Sequence, residues 1–182
     1  MRTLVLLFHP DLAASKANAR LAAAAQSVEG VTVRDIYALY PDGKFDVEAE
    51  QAELAQADRV VWQFPIHWYS APGRFQEWLD TVFAFGWSHG PGGKALAGKE
   101  LMVAVTTGMA ARMYDPEGAA AYPITDLLRP FQATAIKVGM RYLAPFTVHG
   151  MAKGDDAALE AAAADYAAAL TDAERPELDR VG

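Results

Sequence analysis

The sequence contains no cysteine. Disulfides, thiol catalysis and thiolate metal sites are therefore excluded, and the absence fits a reducing compartment. Long apolar runs are missing as well. The N-terminal run LVLLF is stopped by His9 and Pro10, too short for a signal-peptide core and far too short for a membrane span. The chain thus reads as soluble and cytoplasmic. Positive charge is scarce: 16 Lys and Arg stand against 23 Asp and Glu, a net charge of −7. This balance argues against nucleic acid as the main partner. Histidine occurs four times. No two histidines sit at metal-ligand spacing and no carboxylate cluster flanks His67, so no metal site is expected. There is no G-x-G-x-x-G and no Walker sequence, hence no indication of a nucleoside-triphosphate site or a classical dinucleotide fold. Nothing resembles a Ser/His/Asp arrangement. Repeats and low-complexity linkers are also absent.

What is present is an ordinary globular balance: 52% hydrophobic and 21% charged residues over 182 positions. That length suits one domain covering residues 1–182, with a polar tail from about Thr171 expected to fray. Apolar runs at Thr3–Phe8, Val31–Ile36, Arg59–Phe64, Glu100–Val105 and Met140–Val148 read as strands, the last broken by Pro145. Helical patterns lie between them. They cover about Ser15–Ser27, Glu48–Gln56, a stretch opened by Pro72, one opened by Pro123 and interrupted at Pro130, and one opened by Asp155 and Asp156. Residues from Tyr37 to Asp46 read as a loop. Strands alternating with helices imply a doubly wound, five-stranded parallel sheet with helices on both faces, an α/β fold.

In such a sheet, ligands bind beyond the carboxyl ends of the strands. Three loops should meet there. The first, HPDLAASKAN, precedes a helix whose unpaired amides suit a phosphate, with Ser15 and Asn18 as added donors. Ser15 acting only as a helix cap is the competing reading. The second, PIHWYS, offers flat aromatic surface at Trp68 and Tyr69 beside backbone amides, and the third, TTGM, offers hydroxyls and a close-approaching glycine. Together they suit a planar heterocycle with a polar edge, and a flavin fits that description. Trp78 belongs to a helix stripe and is assigned to the core. His67 and His89 read alone as loop residues, Tyr114 as a surface aromatic, and Lys94 and Lys99 as solvated.

These residues resemble the flavodoxin-like NAD(P)H:quinone oxidoreductases. Among them the sequence is most similar to the short bacterial branch that includes ancillary flavoproteins of glutathione-regulated potassium-efflux systems. The resemblance spans about Thr3 to Gly150. It rests on HPxxxxSxxN at His9–Asn18, FPxxWYSxPxxxxEWxD at Phe64–Asp80, GPGGKALxGK at Gly90–Lys99, TTG at Thr106–Gly108, and LLRPFxxT with GMRYLxPF between Leu127 and Phe146. It implies that His9, Ser15, Ala17 and Asn18 hold the flavin phosphate and ribityl chain. Pro65, Ile66, His67, Trp68 and Tyr69 would line the ring, with Thr106, Thr107, Gly108 and Met109 as the second lining loop. Tyr114 would act at the pyrimidine side of the ring. The resemblance also implies a homodimer, with His89 reaching across to the partner's site where a tyrosine is usual. Met109 replaces a usual glycine. Ala120 stands where animal members carry a histidine six residues after the tyrosine, so a His–Tyr relay does not transfer. The chain lacks the C-terminal extension of longer members, which tilts the cofactor to FMN, with FAD the alternative. NAD(P)H would be the co-substrate and a quinone-like molecule the acceptor. A potassium-efflux transporter as partner, and a one-electron carrier of flavodoxin type, are the competing readings.

Overall fold

The computed structural model describes residues 1–151 and 155–178. Six strands form one parallel sheet: β1 (Thr3–Leu7), β2 (Val31–Asp35), β3 (Arg59–Pro65), β4 (Glu100–Thr106), β5 (Arg141–Tyr142) and β6 (Phe146–Val148). The order is β2-β1-β3-β4-β5, with β6 also beside β4. The expected five strand positions are therefore present, and the fifth is shared by two short strands. β5 pairs with Glu100 and Leu101, β6 pairs with Ala104 to Thr106, and Pro145, which has no N–H to donate, falls between them.

Alternation along the strands sorts two cores. Val60, Trp62, Phe64, Leu101, Val103 and Val105 face one way. They pack on α3 (Val47–Gln56) through Leu54, on α4 (Gly73–Val82) through Phe75 and Trp78, and on α6 (Arg129–Val138) through Phe131 and Ala135. Val5, Val61, Met102 and Ala104 face the other way, against α1 (Lys16–Gln26) and α7 (Asp156–Thr171). Helices on both faces bury the strands on both sides, which is why these strands read as continuous apolar runs. Because β1 has β2 on one side and β3 on the other, chain direction reverses there, and the loops after β1 and β3 open a crevice between them.

Several expectations change. The Tyr37–Asp46 loop holds a short helix, α2 (Ile36–Leu39), started by Asp35, whose carboxylate accepts from Tyr37 N and Ala38 N at 3.1 Å each. Ile36 is therefore helical, not the end of β2. The interrupted helix is two helices, α5 (Ile124–Leu127) and α6, and Pro130 sits in the first turn of α6, where a missing N–H costs nothing. Lys99 is not solvated: its ammonium donates to Ala55 O at 2.8 Å and Ala57 O at 2.6 Å. The tail is held as far as Leu178. Arg59, fully buried on β3, donates to Ala169 O, Leu170 O and Asp172 O, while Arg175 donates to Ala144 O and Pro145 O. Leu178 N reaches Tyr142 O at 2.8 Å. The polar composition of the tail supplies groups that satisfy sheet-edge carbonyls. No helix among the described residues is long and apolar enough to cross a membrane.

Candidate active site

A cavity of about 540 Å³ opens at the crevice between the loops after β1 and β3. Its walls bring together ten of the residues expected to bind a cofactor. His9, Ser15, Ala17 and Asn18 come from the first loop and α1. Pro65, Ile66 and His67 come from the end of β3, and Thr106, Thr107 and Gly108 from the end of β4. The size lies in the range of small-molecule sites.

The first wall is built around a helix start. Asp11 accepts from Ala14 N at 3.1 Å and closes a 3₁₀ turn, Leu12–Ala14. Ser15 Oγ accepts from Asn18 N at 3.2 Å. Ser15 is thus the cap of α1, and its own hydroxyl proton is still available. The amides of Lys16 and Ala17 have no acceptor among the described residues. Two free amides at the positive end of an eleven-residue helix suit an anion. His9 Nδ1 accepts from Asp11 N at 3.1 Å, which leaves Nε2 as the donor of the neutral ring. Burial, and next the neighbouring His67, push the His9 pKa below its usual value. Asn18, 1% exposed, points its amide at Thr106 Oγ1, 2.8 Å away.

The second wall contains a strained turn. His67 and Ser70 exchange backbone hydrogen bonds at 2.8 and 3.0 Å, making a two-residue hairpin tip of Trp68 and Tyr69. Both tip residues have positive φ, 48° and 65°. Left-handed backbone is rare for bulky aromatic residues. The turn holds the Trp68 indole 94% exposed, beyond the cavity wall rather than in it.

The third wall is laced to the end of β6. Thr107 N donates to Val148 O, Met151 N to Thr107 O, and Gly150 N to Met109 O, all between 2.8 and 2.9 Å. The amides of Gly108 and Met109 find no acceptor among the described residues. Met109 keeps a φ outside the positive region and does not line the cavity, so its side chain leaves the approach open where glycine is usual.

Tyr114 is buried, in a 3₁₀ turn (Ala111–Tyr114), and is not a surface aromatic. Its ring lies 5.2 Å from that of His149, and His149 Nδ1 is 3.0 Å from Thr107 Oγ1. His149 was not among the residues singled out from the sequence. It follows Val148, the last residue of β6, so the strand-end rule applied to the fifth strand as to the third and fourth would have found it. His89 does not line the cavity within one chain. It borders a separate groove with Phe85 and Lys137, with its Nδ1 2.9 Å from Ser88 Oγ.

A sequence profile described as flavodoxin-like fold matches residues 1–170. The chain belongs to the flavodoxin-like fold family. Within that family it is 45% identical over 169 residues to the glutathione-regulated potassium-efflux system ancillary protein KefF of Klebsiella pneumoniae, covering 93% of this chain and 94% of that protein. It is 46% identical over 146 residues to the NAD(P)H oxidoreductase YdeQ of Bacillus subtilis, covering 80% and 74%. Three solved structures superpose over nearly all of the chain. A general stress protein 14 from Treponema denticola in complex with FMN has a TM-score of 0.88 at 39% identity, covering 93% of this chain and 98% of that one. An NADPH-quinone reductase from P. pentosaceus has 0.86 at 34%, covering 94% and 99%. A protein described as a thermophilic tryptophan halogenase from Streptomycin violaceusniger has 0.91 at 41%, covering 92% and 98%.

Proposed function

We propose that this chain is a flavin-dependent NAD(P)H:quinone oxidoreductase that binds FMN in the cavity between α1 and the loops after β3 and β4. One observation carries the reading. At the switch point of the sheet, the free amides of Lys16 and Ala17 line the cavity on the α1 side and the free amide of Gly108 lines it on the β4 side. The α1 pair fits a phosphate and the Gly108 amide fits the polar edge of a flat ring. The FMN complex of one neighbour and the oxidoreductase names of others support the same reading.

When bound, FMN supplies two-electron transfer from NAD(P)H to the acceptor, which gains two electrons and two protons and leaves as the quinol. The chain's own residues do the rest. Ser15 Oγ–H and the Lys16 and Ala17 amides would hold the phosphate, with His9 Nε2–H as a further donor. The Gly108 amide would donate to the edge that becomes negative on reduction, and Tyr114, buried beside the same turn against His149, is the further donor proposed there. The exposed Trp68 and Tyr69, with Phe85 at 74% exposure, are the contact surface of a homodimer. A second copy brings His89 to the acceptor.

Anaerobic mixing tests this. FMN should bind near one per chain, NADH or NADPH should bleach its absorbance, and a soluble quinone should restore it. A chain that takes up no FMN overturns the reading. Likewise, turnover of tryptophan with halide, and none with quinones, would replace it with the halogenase neighbour's chemistry. The similarity to KefF favours a second role, as ancillary subunit of a potassium-efflux transporter. Co-purification with such a transporter, in the absence of quinone turnover, would put that role first.

A further inference from the structure

Behind the cavity wall, four buried side chains pass one hydrogen bond to the next. Tyr166 Oη, on α7, donates to Gln63 Oε1 at 3.0 Å. Gln63 Nε2, on β3, donates to the backbone oxygen of Asn18 at 3.1 Å and faces Asn18 Oδ1 at 3.4 Å. Asn18 Nδ2 donates to Thr106 Oγ1 at 2.8 Å. Tyr166 and Gln63 are fully buried, Asn18 is 1% exposed and Thr106 5%.

The direction of this chain is not free. Amide orientations follow from the partners around them. A backbone carbonyl can only accept, so the carbonyl of Asn18 requires the nitrogen of Gln63. The oxygen of Gln63 then faces Tyr166, which must donate. Burial raises the Tyr166 pKa far above its usual value, so the phenol keeps its proton. The same Gln63 nitrogen attracts the oxygen of Asn18, and the Asn18 nitrogen turns to Thr106. Thr106 Oγ1 is thereby an acceptor towards Asn18, and its own proton must go elsewhere. No acceptor for it exists among the described residues, and Thr106 lines the cavity.

We propose that Tyr166 and Gln63 are positioning residues for the cofactor. Through Asn18 they make the Thr106 hydroxyl an obligate donor to an oxygen of the phosphoribityl arm. The proposal rests on the flavin reading of the cavity. It gives a reason for the polar line that runs from the middle of α7 through β3 to the cavity wall. A stacked pair of apolar side chains would fill that space without the cost of four satisfied polar groups. The tyrosine itself lies outside the cavity and touches no ligand. Its ring packs against Phe146 with centroids 5.1 Å apart, a contact that phenylalanine would keep.

The test is FMN titration into the apo protein, read by flavin fluorescence, with riboflavin in a parallel arm. One neutral hydrogen bond corresponds to about a three- to tenfold change in affinity. Tyr166→Phe should raise the FMN dissociation constant by about that factor, and so should Thr106→Val. The double variant should be no weaker than Thr106→Val alone, because both act through one hydroxyl. A loss confined to FMN assigns the acceptor to the phosphate, and a loss shared with riboflavin assigns it to the ribityl chain. If Tyr166→Phe leaves affinity unchanged, or adds to Thr106→Val in full, the network is only packing and the proposal falls. A wild-type protein that binds neither flavin would instead overturn the cofactor reading, and the proposal with it. Should Tyr166→Phe fail to fold, Gln63→Leu breaks the chain one step later, and the same non-additivity with Thr106→Val decides.

Discussion

His149 Nδ1 lies 3.0 Å from Thr107 Oγ1, and the direction of that bond is decided by a third group. Thr107 Oγ1 donates its only proton to Met109 O at 2.7 Å. It must therefore accept from His149, so the imidazole carries its proton on Nδ1 and leaves Nε2 bare. Burial lowers the His149 pKa below its usual 6.5. A neutral ring thus braces both the 107–109 turn and the Tyr114 ring.

A pH dependence of stability follows. In the unfolded chain His149 takes up a proton near 6.5, and in the folded chain only at lower pH. Below 6.5 the unfolded state binds more protons, so this stabilisation is complete above 6.5 and is lost as pH falls through the folded pKa. His9 acts in the same direction. Urea midpoints at pH 7.5 and pH 5 should differ less in His149→Gln than in the wild type, and least in the His9→Gln, His149→Gln double variant. Equal pH sensitivity in all three would show that neither imidazole is held neutral by the fold.

Ser15 can be split into its two roles. Ser15→Ala removes the cap of α1 and, in the proposed site, a donor to the phosphate as well, and should cost about 1 kcal/mol of stability as well as FMN affinity. Ser15→Asp keeps an acceptor for Asn18 N but sets a negative charge beside the anion. It should therefore hold thermal stability near the wild type and bind FMN far less well. Asn18→Ala acts through Thr106 and should weaken FMN binding by about the three- to tenfold of one neutral hydrogen bond. If Ser15→Asp retains FMN as the wild type does, the free amides of α1 serve no anion.

Arg59 ties the first residues of β3 and β4 to the end of α7. Its side chain is fully buried, pairs with Glu100 at 2.8 Å and donates to three carbonyls near the end of α7. Arg59→Met keeps most of the volume but strands Ala169 O, leaves Leu170 O with Thr3 and Asp172 O with the Arg175 amide, and leaves Glu100 with Arg141 alone. A loss of about 3–5 kcal/mol is expected, with early proteolysis after α7. Unchanged stability in a denaturant titration would mean that the tail is not part of the cooperative fold.

These features were not equally legible in the sequence. The strands were, because β3 and β4 are apolar on both faces, and the cavity followed from the strand-end rule. The tail was misread because its composition is polar, and only the sheet edge reveals what its polar groups bind. Asn18 reads as a ligand donor, yet its amide is spent on Thr106. That pairing joins residues 88 positions apart, and no local pattern announces it. His149 is legible by its place just past the end of β6, but its partners, Thr107 and Tyr114, come from other segments and are not. The hairpin tip has the opposite problem. A turn with two positive φ values is announced by Asn-Gly, and Trp-Tyr carries no such sign.

That mismatch between residue and backbone at Trp68 and Tyr69 yields the last prediction. Two aromatic residues in left-handed backbone cost about 1–3 kcal/mol each relative to residues suited to it. They also leave a large indole 94% in solvent, where it adds nothing to the core of one chain. Both costs make sense if the turn exists to present these rings to a bound molecule or a second copy. Replacing them with the residues that the backbone prefers, Trp68→Asn with Tyr69→Gly, should relieve the strain. The double variant should then melt at a higher temperature than the wild type when both are compared as cofactor-free chains at low concentration. It should also lose function: light scattering at micromolar concentration should show a smaller species, and quinone turnover should fall at least tenfold. Trp68→Phe keeps an apolar ring at the tip and should fall between the two. A double variant that is both more stable and fully active would mean that the exposed aromatic tip is a tolerated irregularity with no part in the site.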